Sequence, residues 1–144
     1  MNATDGPSTI SVCLAYRDCP AAIDWLIDVL GFTRHAVIPG DGGDIIHAEL
    51  RLGGTFLMLG SATKEGRDWL GAPVGPATLA IFAGDNGAVD AVHARVKADG
   101  ARIVRELCFT SYGEHGGSYG FTCLDAEDNR WSIGTYHPTQ HPAG

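Results

Sequence analysis

The sequence predicts an α+β chain made of two βαβββ modules, and three observations carry that prediction. Strand-like and helix-like stretches follow one order, and the order runs twice. Asp18 stands before the first helical stripe and Asp85 before the second, 67 residues on. The glycines that close the stripes, Gly31 and Gly100, are 69 residues apart. Spacings that agree this closely mark a duplicated supersecondary unit.

Residues 10–16, Ile-Ser-Val-Cys-Leu-Ala-Tyr, are an apolar alternating run suited to a strand. Asp18 and then Pro20 fit an N-cap and a first helical turn. Ile23, Leu26, Ile27 and Leu30 repeat at helical spacing, and Gly31 stops the helix. Residues 32–38 read as a second strand, Gly40-Asp-Gly-Gly-Asp44 as a turn, and 45–52 as a third strand. Gly53-Gly54 makes a tight turn into a fourth strand, 55–59. In the second copy 77–82 is a strand, Asp85 the cap, and Val89, Val92 and Val96 the stripe. Strands at 101–107, 119–124 and 131–136 complete it. Module one is thus 9–60, the connector 61–76 and module two 77–137, with tails 1–8 and 138–144 expected to fray. In the connector, Trp69 and Leu70 are expected to anchor the loop. The glycine-rich segment 112–119 reads as a flexible lid or as a plain surface loop.

Hydrophobic content of 44% and charged content of 19% describe a globular chain. A formal charge of −7 with scattered basic residues argues against nucleic-acid binding, which needs clustered Lys and Arg. No apolar run is long enough to span a bilayer, so no membrane partner is expected. Residues 1–8 carry neither a basic region nor an apolar run, so no secretory signal is expected and the cytoplasm is the expected location. Cys13, Cys19, Cys108 and Cys123 lack metal or redox spacing and are expected as reduced thiols. Cys13 and Cys123 lie in apolar runs, where cysteine acts as a small hydrophobe. No phosphate loop or nucleophile elbow is present.

Three stretches in this order carry a family resemblance: strand-Asp-Pro-helix-Leu30-Gly31-Phe32, then His47-Ala-Glu-Leu-Arg-Leu-Gly-Gly54, then Phe121-Thr-Cys-Leu-Asp-Ala-Glu-Asp-Asn-Arg-Trp-Ser-Ile-Gly-Thr-Tyr136. Together they resemble the vicinal-oxygen-chelate superfamily of glyoxalases, bleomycin resistance proteins and dioxygenases, most of all its PhnB-like branch, over residues 9–137. Ala126 stands where the family's last hairpin usually has Pro, and Asp128 where it has Gly; Asn129 is then expected to supply the left-handed turn residue. Tyr119 and Leu124 fall where relatives often carry Arg, which argues against a shared anionic substrate. The resemblance implies curved sheets forming a barrel-like mixed sheet around a cavity, helices on the convex side, and a homodimer. It also implies four metal-ligand positions, which fall at Ser11, Met58, Thr78 and Ser132. None has an imidazole or carboxylate, so no metal and no cofactor are expected.

Alternation within 45–52 puts Ala48, Leu50 and Leu52 against a helix and His47, Glu49 and Arg51 on the cavity side. His47 and Glu49 are the candidate acid–base pair, against the plainer reading of a polar pair on a half-exposed sheet. Candidate ligand-binding residues are Ser11, Phe56, Met58, Thr78, Phe82, Tyr119, Phe121, Ser132 and Tyr136; an aromatic on a strand is also ordinary core. Glu114 and His115 belong to the glycine-rich segment and are read as solvated. His35 and His93 are read as surface residues. His137 and His141, four apart but beside Pro138 and Pro142, are read as a chance tail pair. The leading expectation is a metal-independent protein that binds an aromatic or cationic small molecule, as a drug-sequestering resistance protein does. The alternatives are a lyase or isomerase using His47, and a metal-dependent glyoxalase or dioxygenase using His47, Glu49 and His115.

Overall fold

A computed structural model describes residues 10–140. The elements run β1 (Val12–Tyr16), α1 (Cys19–Trp25), β2 (Thr33–Pro39), β3 (Ile45–Leu52) and β4 (Thr55–Ser61). They continue as β5 (Thr78–Phe82), α2 (Asn86–Asp99), β6 (Ile103–Ser111), β7 (Gly117–Leu124) and β8 (Arg130–Gly134). The order βαβββ therefore occurs twice. Each copy has its own four-stranded sheet, β1-β4-β3-β2 and β5-β8-β7-β6. In both, the first strand runs parallel to the last and the other neighbours are antiparallel. Identical connectivity in the two copies is what a duplication leaves behind. Residues 10–27 with Phe32–Val74 form one compact unit; Asp28–Gly31 with residues 75–140 form the other. His141 lies outside the described residues.

In the first unit the Asp18 carboxylate accepts the Ala21 amide at 3.2 Å and starts α1, with Pro20 in its first turn. After Trp25 the helix widens into one π turn, Leu26–Leu30, whose residues from Asp28 on belong to the other unit. Helix α1 covers one face of the sheet, against β1, β3 and β4. Strand periodicity delivers Leu14, Ala48, Leu50, Leu57 and Leu59 to that face, all buried, with Leu50 opposite Leu57 and Ala48 opposite Leu59. Burying each large side chain here is worth about 1.5–3 kcal/mol. The same alternation turns Cys13 outward, where it is exposed, so it is not the small core hydrophobe that its apolar run implies.

The second unit repeats the plan with a longer helix. Asp85 accepts the Ala88 amide at 2.8 Å, and Gly100, at φ 83°, ends α2 by donating to the Val96 and Lys97 carbonyls. Val89, Val96, Phe121, Cys123, Trp131 and Ile133 form the core between α2 and the sheet. The β7–β8 turn is held from inside by buried Asp125, which accepts hydrogen bonds from the Glu127 and Asn129 amides, the Asn129 side chain and the Trp131 indole. Asp128, at φ 68°, takes the left-handed position, not Asn129. Asn129 is instead buried, and its side-chain oxygen accepts the Ala77 amide at 2.8 Å. A side chain needed to bridge the hairpin to the start of β5 is kept inside, and the strained position passes to its neighbour.

Strand β6 runs on to Ser111 and pairs with β7 as far as Gly117. The glycine-rich segment is therefore a hairpin tip at 112–116, one short 3-10 turn, and no longer loop remains there.

Candidate functional site

Each sheet has one face covered by its helix and one free of it, and polar chemistry collects on the free faces. In the first unit, strand register sets Cys13 beside Met58 and Met58 beside Glu49, with Phe56 beside Arg51. His47 lies two residues before Glu49 on β3. Its Nε2 and the Glu49 Oε2 are 3.0 Å apart, with side-chain exposures of 14% and 29%. An irregularity in β2 between Arg34 and Ala36 brings His35 to the same carboxylate, 3.9 Å from its other oxygen. The His35 ring also meets Phe56 edge-on at 4.9 Å. Glu49 thus stands between two imidazoles, and neither of the pair need be buried whole to be oriented. Arg51 turns away to the Gly53 carbonyl at 2.7 Å, with its guanidinium 5.9 Å from the Phe56 ring centre.

The connector supplies the remaining wall, and sequence reasoning misplaced its anchor. Asp68 is the buried residue; its Oδ1 accepts the Leu70 and Ala72 amides at 3.0 and 2.9 Å. It seats against Gly60, where a Cβ would come within 2.9 Å of the Asp68 Cβ. Trp69 and Leu70 are left outside, Trp69 63% exposed, with its ring edge-on to His47 at 6.0 Å. An aspartate between Arg67 and Trp69 has no periodicity to mark it, so only its side-chain-to-amide bonds reveal the role.

In the second unit Thr78, Phe82 and Ser132 share the helix-free face: Ala80 is in register with Ser132, Phe82 with Gly134, and Ser132 with Thr122. Tyr119 and Phe121 belong to the other face. Phe121 is fully buried against α2, where its ring meets His93 at 4.9 Å, and it offers nothing to a ligand. The Tyr119 hydroxyl donates to Asp90 of α2, and that bond holds the phenol above its ordinary pKa. The pairing Cys123↔Trp131 fixes this parity, a long-range register that the strand alone does not show. Tyr136 is exposed and meets Tyr112 edge-on at 5.8 Å. His93 is not a free surface residue: its side chain is 15% exposed and its Nε2 lies 2.7 Å from Glu106. The Glu106 carboxyl is held below its usual range, first by the Leu107 amide and then by His93. Glu114 and His115 are exposed at the hairpin tip, 3.8 Å apart.

The four positions where relatives hold a metal do not fit one. Ser11 and Thr78 offer neutral hydroxyls, Met58 a thioether, and the Ser132 hydroxyl is engaged with Thr122 at 2.9 Å. The true register neighbours of Met58 and Ser132 are Cys13 and Ala80, which add one thiol and one methyl group. Neither module's pair of side chains can replace the hydration of zinc, manganese or iron as imidazole and carboxylate do. Among the described residues, no group of three or more His, Cys, Asp and Glu is placed to hold a metal ion.

The four thiols divide evenly by exposure. Cys13 and Cys108 are exposed, Cys19 and Cys123 buried. Desolvation, and then the nearby Asp125 charge, push the Cys123 thiol up to about 11. At mildly alkaline pH, Ellman's reagent is expected to titrate two thiols in the native protein and all four only after unfolding. Rapid reaction of four native thiols would contradict this burial.

Comparison with known proteins supplies the last observations. The family described as the glyoxalase/bleomycin resistance protein/dioxygenase superfamily matches residues 9–133. An uncharacterised protein of Mycobacterium bovis is 28% identical over 130 residues, 87% of this chain and 81% of its own length. Among solved structures, TioX from Micromonospora sp. ML1 is 28% identical with a TM-score of 0.72, covering 90% of this chain and 99% of its own. Lactoylglutathione lyase from Agrobacterium tumefaciens is 20% identical with a TM-score of 0.67, covering 90% and 93%, a likeness of fold.

Proposed function

The chain belongs to the glyoxalase/bleomycin resistance protein/dioxygenase superfamily, and on that premise we propose that it binds a small aromatic cation on the helix-free face of its first module, without a metal. Sequestering a drug-like compound of that kind, as a cytoplasmic homodimer, is the role that this reading assigns. The observation that carries it is Trp69, a large ring left mostly exposed on the stretch that buried Asp68 anchors, edge-on to the His47 ring. A ring kept exposed on an anchored loop is a ready platform for a flat ligand. Glu49, on the far side of His47, supplies negative charge to the same face, and a cation over a ring face gains about 0.5–2 kcal/mol. Phe56 and Met58 add apolar floor on the same face.

Calorimetric titration with proflavine, a planar aromatic cation, tests the reading. Trp69→Ala and Glu49→Gln are each expected to weaken binding by roughly two- to thirtyfold. Binding unchanged in both variants would sink it. A second reading, an acid–base lyase or isomerase, is favoured by the 3.0 Å His47–Glu49 contact, which fixes the imidazole's orientation. A His47→Ala variant that loses turnover and keeps binding would select it.

A further inference from the structure

We propose that the helix-free face of the second module is a binding site for an organic carboxylate, built from Arg105, Thr122, Ser132 and Arg130. This proposal does not rest on the reading of the first module, and it concerns the opposite charge.

The site begins with an irregular strand. Between Arg105 and Cys108, β6 spends three residues where β7 spends two, since Arg105 pairs with Thr122 and Cys108 with Gly120. The extra residue is a bulge, and bulges re-aim side chains. Arg105 and Cys108 accordingly come to one face, and the Arg105 Nη1 donates to the Cys108 sulfur at 3.1 Å. Glu106 is turned to His93 on α2. The bulge thus separates the acid from the guanidinium beside it in sequence.

Arg105 then heads a row of donors that crosses the sheet in register. Its Nε donates to the Thr122 hydroxyl at 3.4 Å, and Thr122 and Ser132 share a hydrogen bond of 2.9 Å. Donation from a cation polarises each hydroxyl along such a chain. Either hydroxyl can donate in that bond; with Thr122, which already accepts from Arg105, as the donor, the Ser132 hydroxyl keeps its own hydrogen to give. Among the described residues it has no other hydrogen-bond partner. Ala80, next in the row, is exposed and too small to cover it.

The electrostatics point the same way. The chain carries 17 acidic and 10 basic residues, yet the residues that β5, β7 and β8 place on this face are neutral apart from Arg130. Among the described residues neither Arg105 nor Arg130 has a carboxylate within ion-pair distance. In so acidic a chain, Arg105 without a counterion beside aligned hydroxyls, with Arg130 on the same face, leaves a place for an external anion. With Nε on Thr122 and Nη1 on Cys108, Arg105 keeps its Nη2 hydrogens for one carboxylate oxygen, and the Ser132 hydroxyl can complete the other. Phe82, exposed at the neighbouring register, offers a ring to an apolar ligand body.

Benzoate is the probe, with benzamide as its neutral isostere, each titrated against the full chain and followed by calorimetry and by the Arg105 Nε–H resonance. Benzoate is expected to bind at least tenfold more tightly than benzamide and to shift that resonance. Arg105→Gln is expected to weaken benzoate tenfold or more, Ser132→Ala several-fold, and Arg105→Lys to restore part of the loss. Glu49→Gln and Trp69→Ala, in the other module, are expected to leave benzoate binding unchanged, which keeps this test apart from the proflavine test. A thermal unfolding midpoint like the wild type's shows that Arg105→Gln still folds, as its exposed position predicts. The proposal is overturned by absent benzoate binding, by equal binding of benzamide, or by a folded Arg105→Gln variant that binds like the wild type.

Discussion

Asp125→Ala is expected to cost about 3–5 kcal/mol. Its carboxylate lies inside the β7–β8 turn and accepts from the Asn129 amide at 3.0 Å, the Asn129 side chain at 3.0 Å and the Trp131 indole at 3.1 Å. Truncation removes the acceptor and leaves buried donors unpaired, which costs more than a lost hydrogen bond alone. Asn129 would also lose the partner that orients it towards the Ala77 amide, so the start of β5 loosens with the turn. Urea unfolding should show a lower midpoint with little change in slope. A loss below about 1 kcal/mol would mean that the turn is held by something other than this carboxylate.

Asp68→Ala is the second large effect, about 2–3 kcal/mol. Two amides, of Leu70 and Ala72, lose their acceptor, the second of them buried. The effect extends to the site, because the same residue fixes the stretch that carries Trp69 past His47. The variant should therefore show faster acrylamide quenching of Trp69 fluorescence and weaker proflavine binding together. Asp68→Asn keeps one side-chain oxygen and should lose less of both. Destabilisation with the Trp69 environment unchanged would show that the connector is anchored elsewhere.

How much of this was legible beforehand depended on the range over which the deciding interaction acts. Local signals read true: the caps Asp18 and Asp85, the closing Gly100, and the alternation in β3 that parts Ala48 and Leu50 from His47 and Glu49. The duplication was legible because both copies kept the same order of caps and stops. Register was not. Tyr119 and Phe121 turn to the helix because β7 pairs with β8 through Cys123 and Trp131, a match set by the fold of the whole hairpin. His35 joins Glu49 only through a β2 irregularity, and Arg105 reaches Thr122 only through a β6 bulge. Asp68 and Asn129 act through side-chain bonds to backbone amides, which leave no periodic trace. The sequence also misjudged Cys13, since an apolar run does not say which of its members faces outward.

The most direct check is a proflavine titration followed by two-dimensional nitrogen–proton NMR on the assigned protein. Saturating dye should move the Trp69 indole resonance and the amides of His47, Glu49 and Met58 while leaving the core of the second module still. Shifts confined to residues beyond Gly75, or none at all under saturating dye, would contradict a ligand face built on His47, Glu49 and Trp69.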